Sequence, residues 1–471
     1  MTAEPAAPQA RAGTRKAVGG WLLAVSVYLL AVLHRTSLGV AGLLAEHRFG
    51  ITPAQLSIFI FLQLGVYAAM QVPTGVLVDR YGPRRLLGTA ALLMGGAELI
   101  FASVPSFPAA LLARTLLGCG DALTFVSVLR FAATHFSPRR YPVMVALTST
   151  VGMAGNLLAT LPLALVLHSV GWLPGFGVAA LLSLVSGCAV WLALPDSPRP
   201  AGRRVELRAG VGRVLRRVRI AWSMPGTRLG FWVHFACMSA TTAFGTLWGS
   251  TYLVKAAGFS ISGAGAVLMY GVLAAGLASP VVGWLIGHRP IVRVPLALGV
   301  CAVTIAGWLG LVFGFGAAPP QGYVLALFVV MALGGPASMV AFALARDYNN
   351  AGSLGTASGV VNVGGFVAAV LVALGIGWVL DAQGATNPHT LRWAVLVAVA
   401  VQAAGALRIA VWLRRTRAFA LDRQRSGEPV PVAVVRRRWD LPDGAAQGRA
   451  LAAMTSRYQC AESLSRRVPS A

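Results

Sequence analysis

Charged side chains are scarce in this chain, and the few that fall within apolar stretches mark where chemistry is concentrated. A charge near the middle of a membrane helix costs about 2.5 to 3.5 kcal/mol on insertion scales, so each one calls for a partner or a wet cavity. Arg35 follows Tyr28 by seven residues, which puts both on one helical face and offers an anionic group a cation beside a phenol. The neighbouring His34 projects about 100° away and is a candidate proton-coupling group, because histidine as a residue type titrates near neutrality. Arg114 and Asp121 are also seven residues apart and share a face; with about 10 Å between them along the axis, they can partly neutralise each other through intervening groups or neighbouring helices. Asp121 is the second candidate for carrying a proton. Arg130 lies nine residues further on, rotated by about 180°, and is assigned a structural role toward Asp79. Gln63, Tyr67 and Gln71, at spacing four, form a polar stripe; Gln63 and Tyr67 join Arg35, Tyr28, Asn156 and Asn362 as candidate substrate contacts.

Each of these residues also has a structural reading. Arg35 can snorkel outward, His34 can be packed and hydrogen-bonded, and Asp121 can be the acid of a purely structural arginine pair. The helix 2 stripe can serve interhelical hydrogen bonds, Glu98 can pair with an arginine, and His234, Trp248 and Tyr270 are further polar or aromatic positions in the second half.

The chemistry that is missing narrows the function. The sequence holds no H-E-x-x-H, no G-x-S-x-G, no glycine-rich phosphate loop and no carboxylate pair, so no enzymatic site, metal, cofactor or ATP-driven step is expected. Cys119, Cys188, Cys237, Cys301 and Cys460 show neither metal-ligand nor disulfide spacing.

The elements that must position these residues follow from composition. The chain has 471 residues, 57% hydrophobic and only 11% charged, a balance that implies an all-α, polytopic membrane protein. At about 20 apolar residues per crossing, six spans fall near 18–43, 54–78, 85–104, 107–135, 141–167 and 171–194. Six more fall near 229–254, 261–286, 292–315, 321–345, 353–380 and 390–413. The expected organisation is an N-terminal tail (1–17), a six-helix half (18–194), a basic connector (195–228), a second six-helix half (229–413) and a basic tail (414–471) that is disordered or lies on lipid. The net charge of +25 is not a nucleic-acid signature, because the arginines cluster in alternate loops and in the tails. Nine arginines lie between Arg199 and Arg228, and Arg139, Arg140, Arg289, Arg293 and Arg346 mark other loops of the same side. By the positive-inside rule this places both termini in the cytoplasm and the protein in the inner or plasma membrane, in contact with lipid and expected to be a monomer.

The stretch Gly75 to Arg85, G-V-L-V-D-R-Y-G-P-R-R, is a tight basic turn between spans 2 and 3. A related stretch begins at Pro280, with Gly283 lying 208 residues after Gly75, and Asn156 and Asn362 stand 206 apart in spans 5 and 11. Two matching offsets indicate pseudo-symmetric halves with a site between them near the midplane.

Gly75-x-Leu77-x-Asp79-Arg80-x-Gly82-x-Arg84-Arg85 resembles the loop 2-3 signature of the major facilitator superfamily, and the likeness covers roughly 17–415. Arg114 to Ala122 is similar to that family's R-x-x-x-G-x-G-x-A pattern, in which Gly118 and Gly120 permit close helix approach. The resemblance implies twelve transmembrane helices and a cytoplasmic latch in which Asp79, Arg80 and Arg84, with Gly75, Gly82 and Arg85, engage helix 11. An acid beside the N-terminus of that helix, near Ser353, is favoured by the helix dipole. Position 287 holds glycine where the second copy would carry the acid, so a second latch is expected to be weak or absent. G-M-A-G-N (Gly152 to Asn156) and S-G-V-V-N-V-G-G (Ser358 to Gly365) partly resemble the paired signatures of the nitrate/nitrite porter branch. That branch holds its anion with one arginine on helix 2 and one on helix 8; neither span here carries one, which argues against nitrate itself. The Gly-Pro signature of drug/proton antiporters is missing from helix 5.

The expected function is secondary transport of a small anionic or zwitterionic solute by alternating access with proton coupling. The alternatives are a proton-driven exporter of amphipathic compounds and, more distantly, a transport-dead sensor or embedded enzyme.

Overall fold

The computed structural model describes residues 7–51, 53–195, 211–315, 319–383 and 388–428, with positions 430, 432, 434, 437 and 440 of the tail. Twelve long helices follow the twelve hydropathy maxima. In the first half they are α1 (Ala7–Thr36, resumed after Ser37 as Leu38–Phe49), α2 (Pro53–Tyr81) and α3 (Pro83–Ser103). These are followed by α4 (Phe107–Ala122 and Thr124–His135), α5 (Tyr141–Ser169) and α6 (Trp172–Ala193). The second half begins with α7, built from Pro225–Ala243, a π-helical turn Phe244–Trp248 and Gly249–Lys255. It continues with α8 (Ile261–His288), α9 (Arg293–Leu309 and the π turn Gly310–Gly314) and α10 (Gln321–Ala332, Gly334–Ser338 and Val340–Tyr348). It ends with α11 (Leu354–Ala382) and α12 (Pro388–Ala394 and Leu396–Arg425). Ten of these are long and apolar enough by length and composition to cross a membrane, and α2 and α7 complete the twelve.

The helix ends differ from the hydropathy spans in a consistent way. α1 begins at Ala7 and α12 runs on to Arg425, because hydropathy marks the stretch that fits hydrocarbon whereas a helix continues wherever good helix formers do. α12 stops just before Gly427, whose φ of +70° lies in the left-handed region. The connector holds an amphipathic helix, Val211–Ser223, with Arg213, Arg216, Arg217 and Arg219; it packs against α2, α7 and α11. The expected disordered tail is ordered at one point at least: Arg417 binds Asp440 through Nε–Oδ1 (2.6 Å) and Nη2–Oδ2 (2.9 Å). The rest of the readings for residues 1–6, 196–210 and most of 429–471 lie outside the described residues.

Within each half, small residues let the helices approach. α3 packs on α6, and Gly120 of α4 faces Met94 of α3, where a Cβ would sit 2.7 Å from its Cγ. Gly118 likewise backs onto the Gln63 carbonyl of α2, where a Cβ would lie 3.0 Å from the oxygen. The halves meet along α2 with α11 and α5 with α8. The largest buried apolar cluster crosses between them near the basic loops, with Phe125 and Tyr141 from one half and Val340 and Phe342 from the other.

Candidate functional site

Arg35 and Asp121 form a two-point ion pair across α1 and α4, with Nε–Oδ2 at 2.7 Å and Nη2–Oδ1 at 2.6 Å. The two partners differ in access. The Arg35 side chain is 20% exposed and Asp121 0%, so the arginine keeps some access to solvent while the carboxylate is sealed from it. Two parallel charge-assisted hydrogen bonds match the fork of a guanidinium to a carboxylate, and the same fork fits any other carboxylate or oxyanion that takes the acid's place.

The second half contributes to the same region. The Tyr67 ring on α2 lies 4.5 Å from the Arg35 guanidinium carbon and 4.9 Å from Phe366 on α11. One turn along α2, Gln71 accepts a 2.6 Å hydrogen bond from Asn362 Nδ2 of α11 and returns its own amide to the Tyr67 carbonyl at 3.2 Å. Tyr28 packs on Phe125 at 5.3 Å, Phe125 on Phe342 at 5.3 Å and Phe342 on His234 at 5.1 Å, an aromatic chain from α1 to α7. Tyr28 owes its position to Gly152 of α5, where a Cβ would fall 2.6 Å from the ring. Gln63 is buried, and its amide nitrogen has no hydrogen-bond partner among the described residues. Asn156 lies one turn beyond Gly152 on α5 and is half-buried.

The contacts between halves gather at the basic end. Asp79 accepts hydrogen bonds from Gly355 N, Thr356 N and Thr356 Oγ1, each at 2.8 Å, at the first turn of α11. The acid thus sits on the positive pole of that helix. The reciprocal arrangement lies opposite: Arg346 of α10 donates to the Phe136 carbonyl (3.1 Å) and Ala133 carbonyl (3.4 Å) at the C-terminus of α4, and covers the Tyr141 ring at 4.8 Å. A cation on the negative pole of one half and an acid on the positive pole of the other hold this end shut. At the second copy of the loop, Gly287 brings α8 against the Arg139 carbonyl and Gly283 brings it against Ala146, so close packing stands where the carboxylate is missing.

Several residues differ from their sequence-based assignments. Asp121 pairs with Arg35, not with Arg114, because Arg35 reaches it directly from α1 whereas seven residues of helix separate it from Arg114. Arg114 turns away, donating to the His34 carbonyl (3.0 Å) and Ser37 Oγ (3.1 Å) and lying 4.1 Å over the Phe101 ring. Arg130, assigned a structural role toward Asp79, lies 3.7 Å from it. Arg84 caps the end of α6 by donating to the Trp191 carbonyl, Arg80 lies over Tyr81 at 4.9 Å, and Arg85 is exposed. Gly82 takes a φ of +80°, which only a residue without a Cβ adopts readily, and with Pro83 it divides α2 from α3. Trp248 is committed to packing: its indole donates to the Ala373 carbonyl at 3.0 Å. Tyr270 is half exposed on α8.

Sequence reasoning missed Phe125, Phe342 and Phe366, which are indistinguishable from core residues by type. It also missed Gly355 and Gly359, although their four-residue spacing was a signal for a close helix crossing. A Cβ on Gly75 would meet the Gly355 carbonyl oxygen. Gly75→Val is therefore expected to keep this end from closing and to lower turnover at least about 10-fold, with little change in thermal stability, because the contact joins α2 to α11 across the two halves and not to a helix of its own half. A thermal-shift measurement beside a flux assay checks both; a large fall in melting temperature would place Gly75 in the core of its own half instead.

Comparisons with known proteins agree with this architecture. The sequence pattern of the Major Facilitator Superfamily matches residues 24–317. The chain is 24% identical over 245 residues to the probable sulfoacetate transporter SauU of Cupriavidus necator, a match spanning 50% of this chain and 56% of that protein. It is 23% identical over 402 residues to the probable galactarate/D-glucarate transporter GudP of Escherichia coli, covering 78% and 88% of the two chains. The probable nitrate/nitrite transporter NarK2 of Mycobacterium tuberculosis is 26% identical over 360 residues, covering 75% and 86%. Among solved structures, the fucose:proton symporter FucP of E. coli superimposes with a TM-score of 0.66 at 16% identity over 84% of this chain and 99% of that one.

Proposed function

This chain belongs to the major facilitator superfamily of membrane transporters, and from that footing we propose that it carries a small anionic or zwitterionic solute across the cell membrane by alternating access, together with a proton. The observation that carries the reading is the Arg35–Asp121 pair, with its arginine partly exposed and its carboxylate completely buried. A carboxylate, sulfonate or inorganic oxyanion arriving at Arg35 competes for the donors that Asp121 holds. Once displaced, Asp121 is a buried charge without its partner, a state that costs several kcal/mol and is relieved by taking up a proton. Anion and proton then load together, and the proton offsets one unit of the anion's negative charge.

The surrounding side chains shape the solute that fits. Tyr28, Tyr67 and Asn362 offer hydroxyl and amide groups beside the guanidinium, which suits a small polar anion carrying further hydrogen-bonding groups. Relatives named for sulfoacetate and for galactarate/D-glucarate support that class. The absence of arginine from the central parts of α2 and α8 counts against nitrate. On the positive-inside reading of the arginine-rich loops, the end held by Asp79 is the cytoplasmic one, and this latch must open to release solute inside.

Purified protein in proteoliposomes, offered galactarate, D-glucarate, sulfoacetate, nitrate, a neutral hexose and an amphipathic cation, tests the class. Saturable uptake of one or more of the organic anions is expected. Uptake of the hexose or the cation without any of the anions would overturn it.

A further inference from the structure

Behind the Arg35–Asp121 pair lies a second ionisable group that the cycle above leaves unused. His34 points from α1 into the interior of the first half, its Nε2 2.7 Å from Ser183 Oγ on α6 and its Nδ1 3.5 Å from Glu98 Oε1 on α3. Both side chains are 0% exposed. Among the described residues, no hydrogen bond satisfies His34 Nδ1 or either oxygen of Glu98. A buried carboxylate with no donor is one of the costliest arrangements a protein can hold, and such unsatisfied groups call for an explanation.

The charges that face this pair come from α1 and α4. Arg114 is completely buried, its terminal nitrogens engaged with the His34 carbonyl and Ser37 and its Nε unpartnered. Arg35, next to His34 on α1, is bound to Asp121. α6 brings only the neutral Ser183. With Glu98 ionised and His34 neutral, the two arginines and two acids sum to zero. With the proton of neutral His34 on Nε2 toward Ser183, one added proton between Nδ1 and Oε1 bridges those two atoms and makes the whole group +1.

We propose that Glu98 and His34 form a second proton-binding site, whose single shared proton raises the positive charge behind Arg35 and so tunes the cavity for an anion. The proposal rests on the anion–proton reading above and adds to it a residue, Glu98, on a helix that does not touch the solute. The proton comes from solution and binds at Oε1 or Nδ1; no bond other than that N–H or O–H forms. Loaded, the site attracts the anion; unloaded, it is neutral and the anion leaves more readily. Solute affinity therefore rises as pH falls.

Glu98→Gln fixes this position in its uncharged form. The variant is expected to bind solute with a flatter pH profile than wild type, and to lose proton-driven accumulation at least about 10-fold more than solute exchange, a coupling of ordinary allosteric size. A merely structural glutamate would instead lower exchange and accumulation alike, at every pH, and that result would overturn the proposal. Infrared pH-difference spectra of the solute-free protein in lipid give a readout that needs no transport. A titrating carboxyl band is expected in wild type, kept in Asp121→Asn, lost in Glu98→Gln, and moved along the pH axis in Ser183→Ala, which removes the partner of His34 Nε2. A titrating band that survives Glu98→Gln, or that is lost in Asp121→Asn, assigns the proton elsewhere. If Glu98→Gln does not fold, an unmoved band in Ser183→Ala refutes the proposal. If wild type shows no proton-driven accumulation, the transport reading fails by itself, and the infrared titration still decides on Glu98.

Discussion

Arg35→Ala is expected to lower solute uptake at sub-saturating concentration by at least about 100-fold. The guanidinium supplies two charge-assisted hydrogen bonds, each worth about 1.5 to 3 kcal/mol, and each 1.4 kcal/mol is a factor of ten in binding. The change also strands Asp121, which is completely buried, and truncating one member of a buried pair costs about 3 to 5 kcal/mol. The single variant therefore mixes lost binding with lost stability. Arg35→Ala combined with Asp121→Ala separates them: it removes both charges, should restore expression and melting temperature toward wild type, and should remain inactive. Uptake that persists in well-folded Arg35→Ala protein would exclude the anion reading and favour an exporter of amphipathic compounds, which has no need of a cation at this position.

Asp79→Asn acts on a different step. The carboxylate accepts three hydrogen bonds at the first turn of α11 and stands 3.7 Å from Arg130. An amide keeps one acceptor oxygen but loses the charge that both the helix pole and the arginine favour. A net loss of about 2 kcal/mol from the state closed at this end shifts the balance between outward-facing and inward-facing forms by roughly 30-fold. Turnover should fall about 10-fold or more, because the return to the outward-facing state becomes the slow step, while solute affinity changes by no more than about 2-fold. Parallel measurement of transport velocity and of solute binding distinguishes the cases. A large loss of affinity with normal turnover would move this loop into the binding site.

These two residues also show what a sequence can and cannot disclose. Asp79 was legible because the loop signature is local, and because an acid gains stability at a helix N-terminus whatever the rest of the fold. Its cation, Arg130, lies 51 positions along the chain; its rotation away from Asp121 on α4 pointed it toward Asp79, and the packing of α4 on α2 sets the distance at 3.7 Å. Arg35 and Asp121 were each legible as charges in apolar spans, but spacing within one helix suggested Arg114 as the partner of the acid. Periodicity reports which side chains share a helix face and says nothing about what stands across from it. Glu98 was passed over for the same reason, as an acid that any of several arginines could neutralise. The aromatic chain from Tyr28 to His234 carries no polar mark at its two phenylalanine links, so hydropathy treats them as core. The spans themselves were recovered because bilayer thickness acts on every crossing alike, and the helix ends were not, because helices outlast the hydrocarbon.

In the proposed cycle, anion and proton cross together because they exchange on the Arg35–Asp121 pair. The most direct test of that cycle is proton flux driven by solute alone. Proteoliposomes holding a trapped pH indicator, with no imposed pH gradient or membrane potential, are given an inward gradient of whichever organic anion the panel identifies. Wild type is expected to acidify the lumen at a rate that follows solute entry, and Asp121→Asn to lose far more of the acidification than of solute exchange. Solute entry into wild-type vesicles without acidification, or acidification undiminished in Asp121→Asn, would contradict it.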